Sequence, residues 1–463
     1  MAQRWPGGDA GEGRALLTST PVIVAVTLGY VAVLHHAYVA HIAPLFTYLR
    51  YGYRTPHPVN YGVAVALVVG LALVLPRRIT HPSHVIVWAL FLIAIVPSLL
   101  VPQWAPALGH GDALELALWV GACFGLVGIL GTRRLLRGFV PRYPLPPGMF
   151  WLLVAGIFAA LLGYALLTTG LNLTLPALDD VYGVRGEFHR QTSSNPALGY
   201  AVPLLSAIIN PALMARGLWD RRPLWFLAGA LGQLYVFTAV GDKSAFLSPL
   251  AIGAVFLVLR HGRRPAGAMA LVGAAALAVA AMAIGWTSLF VRRFLVTPGL
   301  VLAGYVQVFD DAPKARLGHS VLSGLVAHPY RAEPPDLVGH YFFDHPQTHA
   351  NTGWLGDGYA NFGYPGMVAA SVLLVLVLWA IDDAARGLPL GFTCLFLLPS
   401  ALTLAESAIL TGILTHGVLA AIVACALAPR TGWRRAGPVV AHDPARMPAE
   451  RPPSRTPGRR DTW

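Results

Sequence analysis

The chain has 463 residues, of which 56% are hydrophobic and only 12% charged, and its formal net charge is +12 at pH 7. So few charged side chains cannot cover the surface of a soluble protein of this length. The positive balance invites a nucleic-acid reading, but the positions of the arginines exclude it.

Apolar blocks of about twenty residues recur along the chain, the length that crosses a bilayer. Inside lipid each backbone group must pair within its own segment, so these blocks are helices. They fall near 18–40, 60–76, 84–102, 114–131, 149–168, 198–215, 223–240, 245–259, 266–287, 363–380, 389–407 and 409–428. The pattern predicts an all-α, polytopic membrane protein of about twelve transmembrane helices, one polytopic domain over residues 1–429. The first apolar run lacks a small-residue cleavage site and continues into His35 and His36, which predicts a retained anchor. With the N-terminus inside, the inner stretches hold 23 of the 33 basic residues and 8 of the 21 acids. That asymmetry follows the positive-inside rule and predicts two cytoplasmic termini in a cell membrane, with no nucleic-acid partner. Residues 430–463, rich in Pro and Arg, predict a disordered basic cytoplasmic tail. Cys123, Cys394 and Cys425 all fall inside apolar blocks, which argues against a disulfide framework.

Three outer stretches stand out: 171–198, the tight turn Val240–Ser244, and 288–361, which is far longer than an ordinary connection. The outer cations are Arg50, Arg54, Arg185, Arg190, Lys243, Arg292, Arg293, Lys314, Arg316 and Arg331. Taken singly, each is served by a neighbouring acid or an anionic headgroup. Together they place guanidinium forks at headgroup depth, where such forks hold phosphate oxygens in two-point contacts. Arg185 is flanked by Gly183 and Gly186, and along an extended chain it would share a face with Glu187.

Glu406 lies inside an apolar block, where a carboxylate costs about 2.5–3.5 kcal/mol on insertion scales and needs a partner. It reads either as the structural partner of an outer arginine or as a general base. The long outer stretch carries His319, His328, His340, His345 and His349 without metal-ligand spacing, so no metal site is expected. His349, beside Asn351, is the best placed to act as a single acid or base. The run from Thr348 to Gly366, containing Asn351, Asp357, Tyr359 and Asn361, is a glycine-rich approach to a helix with capping residues and interfacial aromatics.

That run, ending Tyr-Ala-Asn-Phe-Gly-Tyr-Pro-Gly, resembles a segment of the Wzy-type O-antigen and oligosaccharide repeat-unit polymerases. The segments Val181-Tyr182-Gly-Val-Arg185-Gly-Glu187-Phe188 and Gly241-Asp-Lys243-Ser244 are similar to family segments in the same order. The resemblance spans most of the chain through short motifs, and it implies an inverting, metal-independent glycosyltransferase without cofactor. Such an enzyme transfers a growing glycan from undecaprenyl pyrophosphate to the non-reducing end of another lipid-linked repeat unit. Its donor and acceptor would be lipid-linked oligosaccharides, with a flippase or chain-length protein as possible company. Arg185, Arg190, Lys243, Arg292 and Arg293 would neutralise the leaving pyrophosphate, with Tyr182, Asn351 and Tyr359 beside the substrate. The base would come from Glu406, His349, Asp357 or Glu187. Two alternatives share these features: a ligase-like transferase with another acceptor, and a flippase or transporter, whose sites lie near the midplane.

Overall fold

A computed structural model describes residues 19–133, 135–170, 181–241, 243–260, 273, 291–345 and 348–433. The expected span at 266–287, the acids Asp179 and Asp180, and the tail beyond 433 lie outside the described residues, as do the side chains of Tyr182, Arg185 and Lys243.

Among the described residues the regular structure is all helical. Eight helices among the described residues are long and apolar enough to cross a membrane. They are α1 (Thr20–Ile42), α3 (Pro82–Trp104), α4 (His110–Gly131), α5 (Pro147–Thr169), α7 (Pro196–Trp219), α8 (Pro223–Val240), α12 (Trp354–Ala384) and the segment Ile409–Leu427. Shorter apolar helices add α2 (Pro58–Val74), α9 (Lys243–Arg260) and α13 (Leu390–Glu406). The chain is a multi-pass membrane protein. Every expected apolar block within the described residues is helical, the last in two pieces, Ile409–Leu414 and Val418–Leu427, parted at Gly417 (φ 93°), and the three cysteines are buried and free.

Prolines shape these helices from within. A proline offers no N–H to the carbonyl four residues back, and its ring crowds that carbonyl. Phe91–Ile95 before Pro97, Leu205–Ile209 before Pro211 and Val291–Val296 before Pro298 all widen into π-turns. In the wider register the carbonyl left free lies five residues before the proline, and for Pro97 Tyr30 serves it, donating its hydroxyl to the Leu92 oxygen at 2.9 Å.

Two elements depart from expectation. Within the stretch 288–361, the described residues from Val291 are helical rather than a loop. Arg292 and Arg293 sit in the π-turn Val291–Val296, which runs into α10 (Thr297–Phe309), a buried helix packed along α3. A Cβ on Gly299 would lie 2.2 Å from the Pro97 oxygen, so only glycine permits this approach. A helix of 13 residues, mostly apolar and bounded by arginines and aspartates, falls short of a spanning length, so periodicity alone does not disclose α10.

The second departure is α12, which breaks at Phe362 and Gly363 (φ 66°). Trp354 Nε1 donates to Ser371 Oγ at 3.1 Å. Seventeen residues of unbroken helix would set those residues about 25 Å apart. The chain therefore reverses, and limb 354–361 folds back against limb 364–384. Gly358 and Gly366 make the reversal possible, since a Cβ on either would lie 2.5 or 2.0 Å from the other's carbonyl oxygen. The glycine-rich motif is a helical hairpin whose second limb starts at the expected span boundary.

Candidate functional site

One end of the bundle, where helices meet near 75–82, 131–147, 219–223 and 384–390, carries the arginine-rich connections. The functional candidates gather at the far end. There a cavity of about 260 Å³ is lined by Arg293, Asn351, Thr352, Glu406, Ser407 and His416, among others. It continues inward to Ala94 and Ser98 on α3 and Ser206 on α7. Ala94 lies ten residues before the end of α3, so the cavity reaches roughly 15 Å into the bundle. The N-terminal turn of limb 354–361 borders it through Trp354 and Leu355, and a helix N-terminus favours negative charge.

A second pocket, of about 330 Å³, is lined by His319, Glu333, His349 and Asp357 and shares Asn351, Thr352, Ser407 and His416 with the first. It lies between the far-end connections and the start of α14 (Ile409–Leu414). The two spaces thus adjoin across one polar wall.

The expected site residues separate into three groups. Arg293, Glu406 and Asn351 line the cavity, and His349 and Asp357 line the pocket with Asn351. Asp357 is buried and accepts from Asn361 Nδ2 at 3.0 Å. Asn361 in turn accepts the Leu317 N–H at 2.7 Å, which ties the long connection to the end of limb 354–361. His349 Nδ1 meets Asp336 Oδ1 at 2.6 Å, where Asp336 lies in the first turn of α11 (Pro334–Tyr341).

A second group is engaged elsewhere. Arg292 lies over the rings of Phe46 (4.5 Å) and Tyr51 (5.8 Å). Tyr359 donates to Asp310 Oδ1 at 3.1 Å, and its ring lies 4.8 Å from Lys314 Nζ. Arg190 pairs with Glu187 at 2.5 Å on an exposed surface, with 77% and 54% of the two side chains accessible.

That pair corrects the extended reading of the segment. Residues Val181–Ser194 form helix α6, so Glu187 meets Arg190 one turn on rather than sharing a face with Arg185. The third group is placed by backbone alone. Arg185 lies one turn before Phe188, which lines the cavity, and Lys243 opens α9 just before Ser244 and Ala245, which also line it.

Comparison with protein families, with curated proteins and with solved structures finds no match. The site is therefore read from its own geometry.

Sequence reasoning, which weighed charges, missed the cavity's uncharged polar floor. Gln233 Nε2 donates to Ser248 Oγ (2.7 Å) and to the Ser206 carbonyl (2.9 Å), while Gln233 Oε1 accepts from Asn210 Nδ2 (3.2 Å). An amide within an otherwise apolar span was the available signal. Burial pushes the His319 imidazole below its usual range, with His328 adding to the effect and Glu333 opposing it. Its ring is therefore neutral near pH 7. Among the described residues no three His, Cys, Asp or Glu side chains gather to hold a metal ion.

Proposed function

We propose that this protein polymerises undecaprenyl-pyrophosphate-linked oligosaccharide repeat units into a surface polysaccharide at the outer face of the cell membrane. The observation that carries the reading is the pair of adjoining polar pockets at the end of the bundle away from the arginine-rich connections. Glycan transfer between two lipid-linked substrates needs two neighbouring sites. One holds an anionic leaving group and the other an attacking hydroxyl. The cavity supplies Arg293, the positive end of limb 354–361, and the helices that bear Arg185 and Lys243 at its margin. A guanidinium fork aimed at a leaving pyrophosphate neutralises its charge in the transition state without a cofactor. The pocket supplies the acid–base groups His349 and Asp357, and Glu406 lines the cavity next to Ser407, which both spaces share.

The test is polymerisation of purified lipid-linked repeat units by the purified protein. Arg185→Lys retains charge but loses the two-point contact, so polymer formation should fall roughly 100- to 1000-fold. Polymer at the wild-type rate removes Arg185 from the chemistry. Activity should persist in EDTA, and loss restored by one divalent ion would assign the enzyme to a metal-dependent class. Transfer to some other acceptor lipid, with none to a repeat unit, would favour the ligase-like alternative. The broken α12 and the polar floor at Gln233 also suit a transporter of lipid-linked glycans. Movement of substrate across vesicles without bond formation would favour that reading.

A further inference from the structure

We infer that Asp336 and His349 form a carboxylate–imidazole dyad, with His349 Nε2 the general base for the acceptor hydroxyl and Asp336 a positioning residue. The inference rests on the polymerase reading and assigns a role to Asp336, which the sequence does not single out.

The pair is built on a fixed backbone. Asp336 sits in the first turn of α11, and the segment carrying His349 is tied along that helix. Ala350 donates its N–H to the Pro335 carbonyl at 3.0 Å, and His345 donates to the Gly339 carbonyl at 3.1 Å. Tyr305, from the buried α10, donates its hydroxyl to the Ala350 carbonyl at 3.1 Å. A Cβ on Gly339 would lie 1.6 Å from the Thr348 oxygen, so glycine lets the segment lie directly on the helix. His349 Nδ1 therefore stays 2.6 Å from Asp336 Oδ1. In a neutral imidazole the nitrogen facing a carboxylate carries the proton and donates it, which leaves the lone pair on the other nitrogen. Nε2 has no hydrogen-bond partner among the described residues, and His349 lines the pocket with 48% of its side chain accessible.

The other candidate bases are less suited. Glu406 lines the same cavity as Arg293, beside the expected position of the departing anion. Asp357 already accepts the Asn361 amide and is buried. His319 lines the pocket without a carboxylate that fixes its tautomer; its Nδ1 is buried without a partner. Only His349 combines an orienting carboxylate with a nitrogen open to the pocket, the nucleophile–base–orienter logic of many transferases.

In the proposed step the acceptor hydroxyl gives its proton to His349 Nε2 as its oxygen bonds to the donor's anomeric carbon. The bond from that carbon to the pyrophosphate oxygen breaks, and the electron pair leaves on the pyrophosphate. The imidazolium later returns its proton to solvent.

Two measurements test this. The first uses ¹⁵N-histidine spectra of purified protein, with the His349 signals assigned by His349→Gln. Wild-type protein should show the proton on Nδ1. Asp336→Asn presents an amide in place of the carboxylate and should shift the proton to Nε2. The second is polymerisation kinetics. Asp336→Asn and His349→Gln should each lower kcat by roughly 100- to 10,000-fold with KM little changed, and Asp336→Glu should keep more activity than Asp336→Asn. A His349 tautomer that Asp336→Asn leaves unmoved overturns the dyad. A moved tautomer with wild-type kcat in His349→Gln overturns the catalytic role and leaves the polymerase reading standing. If the wild-type protein makes no polymer, the polymerase reading fails and the base role with it, whatever the spectra show.

Discussion

At the arginine-rich end of the bundle, three charged side chains, Asp382, Asp383 and Arg430, are held by the protein's own groups. Asp382 accepts the Ser83 N–H (3.0 Å) and hydroxyl (2.7 Å), pinning the start of α3. Asp383 accepts the Gly138 and Val140 N–H groups, each at 3.0 Å, and pairs with Arg386 at 2.8 Å. Arg430 donates to the Cys425 (2.9 Å) and Ala384 (2.8 Å) carbonyls, closing two helix C-termini. At the far end the same residue types line open space: Arg293 and Glu406 the cavity, His349 and Asp357 the pocket. Charge alone does not distinguish a latch from a site. Backbone and hydroxyl donors occupy the oxygens of Asp382 and Asp383, whereas His349, held through Nδ1, keeps its second ring nitrogen open.

The contrast can be broken at four points. The largest effect is all-or-none and concerns which end faces outward. A cysteine at Ser323, an exposed far-end position, should react fully with an impermeant thiol reagent in intact cells with the outer barrier permeabilised. The native cysteines are buried, so background should be low. Protection of that cysteine would invert the orientation.

Next comes Arg293→Lys, which should slow polymerisation roughly 100- to 1000-fold, about 2.7–4 kcal/mol of transition-state stabilisation, with the thermal midpoint unchanged. A variant with unaltered rate would show that Arg293 is only a wall of the cavity.

Asp382→Ala should do the opposite. Two buried donors at Ser83 lose their acceptor, a loss of about 1–3 kcal/mol of stability seen as a lower unfolding midpoint in detergent. Activity per folded molecule should stay near wild type, and a specific loss of rate would end the division between the two ends.

The smallest effect belongs to Arg190→Ala. An exposed pair with Glu187 is worth under about 1 kcal/mol, so stability and polymer length should both be close to wild type. A large fall in rate would return Arg190 to the group of substrate contacts.

Much of the architecture was legible in the residues. Apolar blocks of spanning length, arginine at their ends and the restart of a helix near Gly363 are local properties of sequence, and the helices follow them. Less of the site was legible. Glu406 and Arg293 stood out as charges beside apolar blocks, and both line the cavity. Arg292 stood out equally and lies over Phe46 and Tyr51 instead, because adjacent positions on a helical turn point in different directions.

The sequence by itself determined the helical class, the multi-pass character and the uneven distribution of charge, since each depends on side-chain transfer between water and lipid. Tertiary structure alone decided the reversal at Gly363, the burial of α10, the polar floor around Gln233 and the meeting of Asp336 with His349. Those depend on which backbones approach closely enough to touch. Contacts such as Gly358 on Gly366 or Gly299 on Pro97 arise from packing in three dimensions, and no period along the chain records them.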